Sequence, residues 1–346
     1  MGNYLSSNKF LVEGKTVVIT GGSSGMGLAV GQQLAGKGAN IAIIARDQNK
    51  LLQAIDEIQR AAKSPQTQRF LQLSADLTTP TESVRTIDEI TAWNGGNPPD
   101  IIWCCAGSST PGLFIETPVS YFQAQMDSNY FSSLYMAHAA MTLWIRTAQK
   151  NAAGEAPGGA QLKTRGLPPR HIIFTASFVS FYTFAGYSPY SPAKAALRSL
   201  SDTLSQEANL YAAAHPNEPA IRLHTVFPAT ILTESYEKEN IIKPDITKKL
   251  EEGDEGQTPE VVAAKSIKGL EMGLELITTN MITALVQRGM MGGSLRGGFV
   301  RMLVDWALVW VMGIVMVIVR SDMDRQVRDW GRKYGTATKR TENKQA

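Results

Sequence analysis

Short apolar runs alternate with longer helix-compatible segments along the first two thirds of the chain. Runs of four to six apolar residues are typical of strands buried in a parallel sheet. The pattern predicts strands at residues 15–20, 40–45, 70–75, 101–104, 172–176 and 222–226, and helices at about 26–37, 49–62, 119–150 and 191–214. Strands that alternate with helices predict an α/β fold with a doubly wound parallel sheet.

Three stretches lie outside this alternation. Residues 151–169 are rich in Gly, Ala and Pro, which predicts a flexible surface insertion. Residues 230–258 are charged and irregular and follow a strand end, where binding loops of such sheets lie, so we expect a substrate loop there. Residues 302–319 are apolar and are flanked by Arg301 and Arg320.

These segments suggest the domain organisation. The 346 residues suffice for one large α/β domain and an appendage. We expect an N-terminal arm over residues 1–13, a nucleotide-binding domain over 14–290, and a C-terminal extension over 291–346 that holds the apolar segment and a basic tail. The net charge of +3 is too small to suggest a nucleic-acid partner, and no basic run is interleaved with aromatic residues.

The cysteines and the N-terminus carry weaker signals. Cys104 and Cys105 are the only cysteines; they fit a reducing compartment and have no metal-site spacing, so no metal is expected. The N-terminus lacks the long apolar stretch of a signal peptide. It fits the loose pattern for N-myristoylation at Gly2, a pattern that also occurs by chance.

A glycine-rich turn joins the first predicted strand to the first helix. The turn contains Gly21, Ser23, Ser24, Gly25 and Gly27. Glycines permit a tight turn and let backbone N–H groups approach a pyrophosphate, to which the helix N-terminus adds its positive dipole end. The strand–turn–helix context predicts a Rossmann-like dinucleotide-binding loop, and a plain glycine turn is the alternative.

The end of the second predicted strand bears on the choice of cofactor. Enzymes that use NAD commonly place an Asp or Glu there, whereas this chain has Arg46, with Lys50 one helical turn later. Cations suit the 2′-phosphate of NADPH, although Asp47 argues against it. The alternative for Arg46 is an ordinary solvated surface cation. We expect NADPH. Asp76 and Leu77 are candidates to frame the adenine, with a turn-capping role for Asp76 as the alternative.

Tyr190 and Lys194 are spaced so that they lie on one face of a helix. A nearby ammonium favours the phenolate and lowers the tyrosine pKa, which makes Tyr190 a candidate proton donor to a carbonyl oxygen. Ser177 lies just past the preceding strand, from which its hydroxyl can hold the same oxygen. This spacing is common by chance, and it gains weight because the glycine turn precedes it in the right order.

Together, the glycine turn, Ser177, Tyr190 and Lys194 resemble the motif set of the short-chain dehydrogenase/reductase family, over about residues 14–235. The resemblance implies a nicotinamide cofactor, which Tyr190 and Lys194 also contact, and the reduction of a ketone. It implies that Asn129 supports a water and the lysine. It also implies that Thr233 lies near the nicotinamide carboxamide.

Two segments depart from the family pattern. Residues 104–107 read Cys-Cys-Ala-Gly where Asn-Asn-Ala-Gly is usual, which puts the local hydrogen bonding in doubt but not the chemistry. Residues 228–229 read Pro-Ala where Pro-Gly is usual. Both changes are conservative in size.

Within the family, the chain is most similar to the fungal branch that reduces 3-ketodihydrosphingosine (3-oxosphinganine) to sphinganine. The similarity rests on the glycine turn, Arg46 with Lys50, residues 185–190 and the apolar segment before Arg320. It implies a lipid ketone substrate and a catalytic domain on the cytosolic face of the endoplasmic reticulum membrane. A reductase of a steroid or fatty acyl ketone is one alternative, and a non-catalytic NADP-binding protein is another.

The apolar segment at residues 302–319 has more than one interpretation. As a helix it would extend about 27 Å at about 1.5 Å per residue, close to a hydrocarbon core of about 30 Å. A single span would place the basic tail in the lumen, against the positive-inside tendency. We therefore expect an in-plane or re-entrant helix at the membrane surface. A true span, and a helix buried against the domain or against a second subunit of a homo-oligomer, are the alternatives.

Overall fold

The structure is a computed structural model that describes residues 8–152, 167–290 and 299–334. In this part of the chain seven strands form one parallel sheet: β1 (Thr16–Thr20), β2 (Asn40–Ala45), β3 (Phe70–Ser74), β4 (Ile101–Cys104), β5 (Arg170–Thr175), β6 (Ile221–Phe227) and β7 (Leu276–Thr278). The strand order is β3-β2-β1-β4-β5-β6-β7, and all neighbours are parallel. The order reverses between β1 and β4, where doubly wound sheets bind their ligands.

The helices lie on both faces of this sheet. They are α1 (Gly25–Ala35), α2 (Gln48–Arg60), α3 (Pro80–Trp93), α4 (Val119–Met126), α5 (Ser132–Ala152), α6 (Ser191–Ala214), α7 (Glu234–Ile242), α8 (Asp245–Leu250), α9 (Pro259–Glu271), α10 (Met281–Gly289) and α11 (Phe299–Tyr334). Successive side chains of a strand point to opposite faces. Val17 and Ile19 therefore join the core under α1, α2 and α9, whereas Val18 joins the core under α3, α5 and α6. The predicted α/β class and doubly wound sheet are confirmed.

Two regions differ from the predicted elements. The helix predicted over residues 119–150 is interrupted, because a π-helical turn at Asp127–Phe131 separates α4 from α5. The substrate loop at 230–258 is not irregular but contains α7 and α8. The side chain of Thr233 caps α7, which begins at Glu234. The insertion predicted at 151–169 lies largely outside the described residues.

The described part of the N-terminal arm belongs to the domain core. Phe10 and Val12 are 1% and 4% exposed and pack in the same cluster as α1 and α9. The backbone N–H of Lys9 donates to the carbonyl of Glu271, at 2.9 Å. Gly2 lies outside the described residues, so its acylation stays a prediction.

The apolar segment belongs to a longer helix than its composition suggested, since α11 continues to Tyr334. One side of α11 packs on the domain: Met312 and Trp330 are buried, and the hydroxyl of Tyr182 donates to Met323 Sδ at 3.1 Å. Much of the remaining apolar surface is exposed. Among the described residues, one helix is long and apolar enough to cross a membrane, at Trp306–Tyr334, and only 6% of its apolar window is buried.

Candidate active site

The carboxyl ends of four adjacent strands bring the predicted site residues together. The glycine turn follows β1, residues 105–107 follow β4, Ser177 follows β5, and the substrate loop follows β6. Carboxyl ends of parallel strands meet at one edge of the sheet. The sheet therefore assembles residues that lie far apart in the sequence.

The glycine turn has no room for side chains at two of its positions. Gly21 has a φ of 65°, and a Cβ there would lie 2.9 Å from the backbone of Ala106. A Cβ on Gly27 would lie 2.3 Å from the carbonyl oxygen of Gly21. The turn is thus closed by backbone-to-backbone contact, which is what a close approach to a pyrophosphate requires.

The N-terminus of α1 leads directly from this turn. Ser24 occupies the N-cap position with an extended backbone, but its side chain makes no capping hydrogen bond. The first N–H groups of α1 are therefore left for another acceptor, as at an anion-binding helix terminus. A Cβ on Gly25 would lie 3.2 Å from Thr233 Cγ2, so the substrate loop reaches the turn at the predicted residue. These residues fit a dinucleotide.

The three charged side chains that follow β2 have different partners. Arg46 is exposed and forms no ion pair with any described residue. Asp47 instead caps α2 by accepting the backbone N–H of Lys50, at 3.0 Å, which gives the unfavourable carboxylate a local structural role. The ammonium of Lys50 pairs with Glu234 of α7 at 3.1 Å.

The hydrogen bonds in the segment after β3 support a turn-capping role for Asp76. Its carboxylate accepts hydrogen bonds from the backbone N–H and the hydroxyl of Thr78, at 3.1 Å and 2.8 Å. Leu77 is buried in the core, at 6% exposure. Asp76 therefore holds the turn, and the contact of both residues with adenine stays a prediction.

The structure places Ser177, Tyr190 and Lys194 side by side. Tyr190 is the N-cap residue of α6, and the ammonium of Lys194 lies 5.6 Å from the centre of its ring. The hydroxyl of Ser177 lies close enough to Tyr190 to lower the pKa of the phenol. Lys194 is only 5% exposed and donates to the carbonyl of Thr175 at 2.9 Å. The last residue of β5 therefore orients Lys194.

The pKa of Tyr190 departs from the sequence expectation. Burial, followed by the negative charge of Glu239, raises this pKa above its ordinary value, and the Ser177 hydrogen bond lowers it. Burial lowers the pKa of Lys194 to about 8. The lowering of the Tyr190 pKa that the sequence predicted is therefore not seen, because a buried phenolate is poorly solvated.

Asn129 lies in the π-helical turn and is fully buried. Its side-chain oxygen accepts the backbone N–H of Ser108, at 3.2 Å, and its amide donates to the carbonyls of Ser108 and Gln125. Gly107 lies between this side chain and the lysine: a Cβ there would be 2.5 Å from Asn129 Oδ1 and 3.4 Å from Lys194 Nζ. Sequence reasoning quoted Gly107 without giving it a role.

The cysteines that depart from the family motif have local partners. The hydroxyl of Thr175 donates to Cys105 Sγ at 3.5 Å and accepts from the indole of Trp103 at 3.2 Å. Burial raises the pKa of Cys105 to about 12, so the thiol is protonated at neutral pH. Thr175 therefore supplies hydrogen bonding that the departure from the family motif had put in doubt. Its hydroxyl bonds to Cys105, and its carbonyl accepts the ammonium of Lys194.

Comparison with known proteins identifies the family. A model described as short chain dehydrogenase matches residues 15–155. The chain is 43% identical to the 3-ketodihydrosphingosine reductase of Aspergillus fumigatus, over 95% of this chain and 88% of that protein. The chain belongs to the short-chain dehydrogenase family. It is therefore an oxidoreductase that uses a nicotinamide cofactor.

Further proteins are similar to this chain in sequence or in fold. A 3-ketodihydrosphingosine reductase of Neurospora crassa is 39% identical, over 97% of this chain and 87% of that protein. The L-sorbose reductase of Gluconobacter frateurii, solved with NADPH and L-sorbose, has a TM-score of 0.58 at 22% identity and covers 77% of this chain and 95% of its own. A short-chain dehydrogenase of Mycobacterium marinum has a TM-score of 0.61 at 24% identity, covering 77% and 94%. These structures support the fold.

Sequence reasoning missed further polar residues beside the short-chain dehydrogenase site. Glu239 and Glu251 of the substrate loop accept hydrogen bonds from the hydroxyl of Tyr187, just before Tyr190, and both carboxylates pair with Lys243. No local signal marks them, because charged residues in a polar segment are normally solvated. The only hint was the position of the segment after a strand end.

Proposed function

We propose that this chain reduces the 3-keto group of 3-ketodihydrosphingosine to give sphinganine, with NADPH as the preferred cofactor. The observation that carries the proposal is a complete set of Ser177, Tyr190 and Lys194, in a fold whose glycine turn lies at the same edge of the sheet. It occurs in a chain that shares 43% identity with a 3-ketodihydrosphingosine reductase over nearly its whole length.

The protein groups divide the work of the reduction. A bound nicotinamide cofactor supplies the hydride. Ser177 holds the carbonyl oxygen by a hydrogen bond, and Tyr190 donates the proton to the same oxygen. Lys194, oriented by the carbonyl of Thr175, stabilises the phenolate that remains and contacts the cofactor ribose. Asn129 is fixed next to the lysine and supports the water through which the proton is replaced.

The charges at the end of β2 support the preference for NADPH. Arg46 is exposed and unpaired among the described residues, so its guanidinium is available to a 2′-phosphate. Asp47 is engaged as the cap of α2. Lys50 is partly neutralised by Glu234, so we assign the larger share of phosphate recognition to Arg46.

The same proposal places the enzyme on a membrane surface, at the cytosolic face of the endoplasmic reticulum. Along its apolar half, α11 contacts the domain through Met312, where a Cβ on Gly289 of α10 would lie only 2.9 Å from Met312 Cβ. A helix held along its side favours an orientation in the membrane plane over a span. Its outward side carries Trp306, Trp310 and Ile314, which are 65%, 69% and 67% exposed.

The exposed apolar side chains of the substrate side suit a long acyl chain. Leu232 and Ile241 of the substrate loop are 45% and 73% exposed, and Phe114 and Ile115, after β4, are 70% and 74% exposed. All follow carboxyl ends of strands, on the same edge of the sheet as Tyr190. We propose that these residues, with α11, form the lipid entrance.

The test is NADPH consumption by the purified chain, with sphinganine detected by mass spectrometry. We expect turnover with 3-ketodihydrosphingosine and a loss of about 10²- to 10⁴-fold in Tyr190→Phe, which keeps the ring but removes the proton donor. Cofactor binding should persist in the variant. Steroid and fatty acyl ketones serve as parallel substrates: faster turnover of either class would overturn the substrate assignment, and no turnover of any ketone would overturn the catalytic one.

A further inference from the structure

The backbone that carries Tyr190 lies at the very start of a helix. Tyr190 is the N-cap residue of α6, so the turn that precedes the helix sets its position. The carbonyl of Tyr187 accepts the backbone N–H groups of Tyr190 and Ser191, at 3.1 Å and 2.9 Å. We refer to residues 185–190 as the Tyr190 turn. A displacement of Tyr187 would therefore displace the backbone of the proposed proton donor.

The side chain of Tyr187 is held by the substrate loop. It is 6% exposed, and its hydroxyl lies 2.9 Å from Glu239 Oε1 on α7 and 2.5 Å from Glu251 Oε1, directly after α8. Burial, followed by the two carboxylates, raises the pKa of this hydroxyl well above its usual range, so it stays protonated. The hydroxyl is thus engaged by groups of the protein rather than by a substrate.

A buried lysine completes this network. Lys243, the residue after α7, has 0% of its side chain exposed, and its ammonium lies 2.6 Å from Glu251 Oε2 and 3.1 Å from Glu239 Oε1. Buried charges are costly unless they are paired and hydrogen-bonded. The two ion pairs therefore join α7 to the end of α8, and Tyr187 is bound to both. We refer to Tyr187, Glu239, Lys243 and Glu251 as the Tyr187 cluster.

Two further contacts hold the Tyr190 turn. The hydroxyl of Thr247, in α8, donates to the carbonyl of Ala185 at 2.9 Å. The backbone N–H of Gly112, after β4, donates to the carbonyl of Gly186 at 2.8 Å. Gly186 has a φ of 99°, and a Cβ there would lie only 1.9 Å from the Thr247 hydroxyl oxygen. The turn is therefore closely packed against the substrate loop.

The other reacting groups are supported from the opposite direction, by the sheet. Ser177 follows β5, and the ammonium of Lys194 donates to the carbonyl of Thr175, the last residue of β5. Tyr190 instead belongs to a turn that is bound to α7 and α8. The position of the phenol relative to Ser177 and Lys194 thus depends on how the substrate loop holds this turn.

We propose that Tyr187 is a positioning residue for the reduction: the Tyr187 cluster fixes its side chain to the substrate loop, and its carbonyl holds Tyr190 beside the other reacting groups. The inference rests on the proposed role of Tyr190 as proton donor. Proton transfer requires the donor within hydrogen-bond distance of the acceptor, and a displacement of about 1 Å can cost about 10²-fold in rate. Tyr187 acts through the backbone, without contact to the substrate.

The test is a single turnover of Tyr187→Phe, which removes the hydroxyl and keeps the ring. One equivalent of NADPH is bound to the enzyme and mixed with saturating 3-ketodihydrosphingosine, and the loss of the NADPH signal is followed by stopped flow. The rate constant reports the chemical step, whereas the amplitude counts the folded, cofactor-bound molecules. We expect the rate constant to fall by about 10- to 100-fold, with the amplitude and the Kd for NADPH unchanged.

A matched control removes a hydroxyl at the other end of α6. Tyr211 is a half-buried tyrosine of that helix, and Tyr211→Phe should keep the wild-type rate constant and amplitude. If Tyr187→Phe does not bind NADPH, Tyr187→Phe/Glu251→Gln is measured instead. This variant removes the hydroxyl together with one carboxylate and leaves Lys243 paired with Glu239, and the same fall in rate constant is expected.

The outcomes separate this inference from the proposed function. A wild-type rate constant in Tyr187→Phe would overturn the inference, whether the amplitude is full or reduced, and a reduced amplitude would mark Tyr187 as structural. Failure of both Tyr187 variants to bind NADPH would overturn it in the same way. In each case an inactive Tyr190→Phe leaves the catalytic assignment in place. If Tyr190→Phe is active, the proposed proton donor itself is wrong.

Discussion

The two sides of the active site are built in different ways. The cofactor side consists of strand ends and a glycine turn, where backbone meets backbone at Gly21 and Gly27. The substrate side consists of α7, α8 and α11, which are held by side chains: a buried ion-paired network at Lys243 and a methionine contact at Tyr182. The first arrangement tolerates almost no added atom, whereas the second depends on polar and apolar side chains that meet only in the folded chain.

This difference suggests where each kind of substitution acts. Changes on the cofactor side should impair cofactor affinity or the chemical step, because they displace backbone next to the reacting groups. Changes on the outer substrate side should impair access to lipid while the chemistry persists. The following predictions test that division, beginning with the largest expected effect.

The first prediction concerns the outward side of α11. Trp310, Ile314 and Ile318 are 69%, 67% and 63% exposed, and the triple change to Ser removes this apolar surface. At about 1.5–3 kcal/mol for each buried side chain, partition into phospholipid vesicles should fall by about 10³-fold or more. Vesicle flotation measures the partition. Activity on a short-chain, water-soluble ketosphingoid should stay within about twofold of the wild type.

The activity of the triple variant on the water-soluble substrate shows whether the outward side of α11 docks on a membrane or packs against protein. A triple variant that is insoluble or does not bind NADPH would show that these side chains support the fold or a subunit contact. Unchanged flotation would show that the membrane binds elsewhere. Either result would contradict the division between a substrate side that gives access to lipid and a cofactor side that performs the chemistry.

The second prediction concerns Gly107, where the two sides meet. In Gly107→Ala the new Cβ would lie 2.5 Å from Asn129 Oδ1 and 3.4 Å from Lys194 Nζ, so one of these groups must move. A displacement of about 1 Å can cost about 10²-fold in rate, and we expect a loss of kcat of that order. Gly331→Ala on α11, which has open space around it, is the matched control. A near-normal kcat in Gly107→Ala would show that the Asn129–Lys194 geometry is not critical.

The third prediction concerns the preference between cofactors. Arg46→Ala should raise the KM for NADPH by roughly 10- to 100-fold, because a hydrogen bond to a charged group contributes about 1.5–3 kcal/mol. The KM for NADH should hardly change, since NADH lacks the phosphate. Arg60→Ala, at the opposite end of α2 and paired with Asp56, is the control. An equal effect on both cofactors would exclude Arg46 as the phosphate ligand.

The smallest effect is expected at Lys50, which joins the two sides through its ion pair with Glu234. Both side chains are well exposed, and such pairs contribute about 0.2–1 kcal/mol, so Lys50→Met should raise the KM for NADPH by only about two- to fivefold. Steady-state kinetics at low and high salt measure it. A larger effect than that of Arg46→Ala would reverse the assignment of the phosphate site.

The sequence predicted the cofactor side well, because its signals are local. The bounds of β2, β4 and α6 agree with the apolar pattern, and the glycine turn follows β1 as expected. Ser177, Tyr190 and Lys194 meet as the motif spacing indicated. Asp76 showed the limit of such inference: a turn-capping carboxylate and an adenine contact have the same local pattern, and only the hydrogen bonds to Thr78 revealed the first.

The substrate side was predicted poorly, because its signals depend on distant partners. The three-residue strand β7 is too short for a clear apolar run, and the π-helical turn at Asn129 has no hydropathy signature. Residues 230–258 were expected to be irregular because a hydropathy pattern treats charged residues as solvated. That assumption fails when Lys243 meets Glu239 and Glu251 inside the fold.

By itself, the sequence determined the alternation of the first six strands with helices, the position of the glycine turn and the choice of Ser177, Tyr190 and Lys194 as candidate reacting side chains, since each depends on local patterns of residues. The tertiary structure decided which of the charged residues are buried, how the substrate loop contacts the Tyr190 turn, and which side of α11 faces outward. It also decided the direction in which the Tyr190 pKa is shifted, because burial and the charge of Glu239 both raise it. Burial and long-range charge are properties of the assembled chain, and no local pattern encodes them.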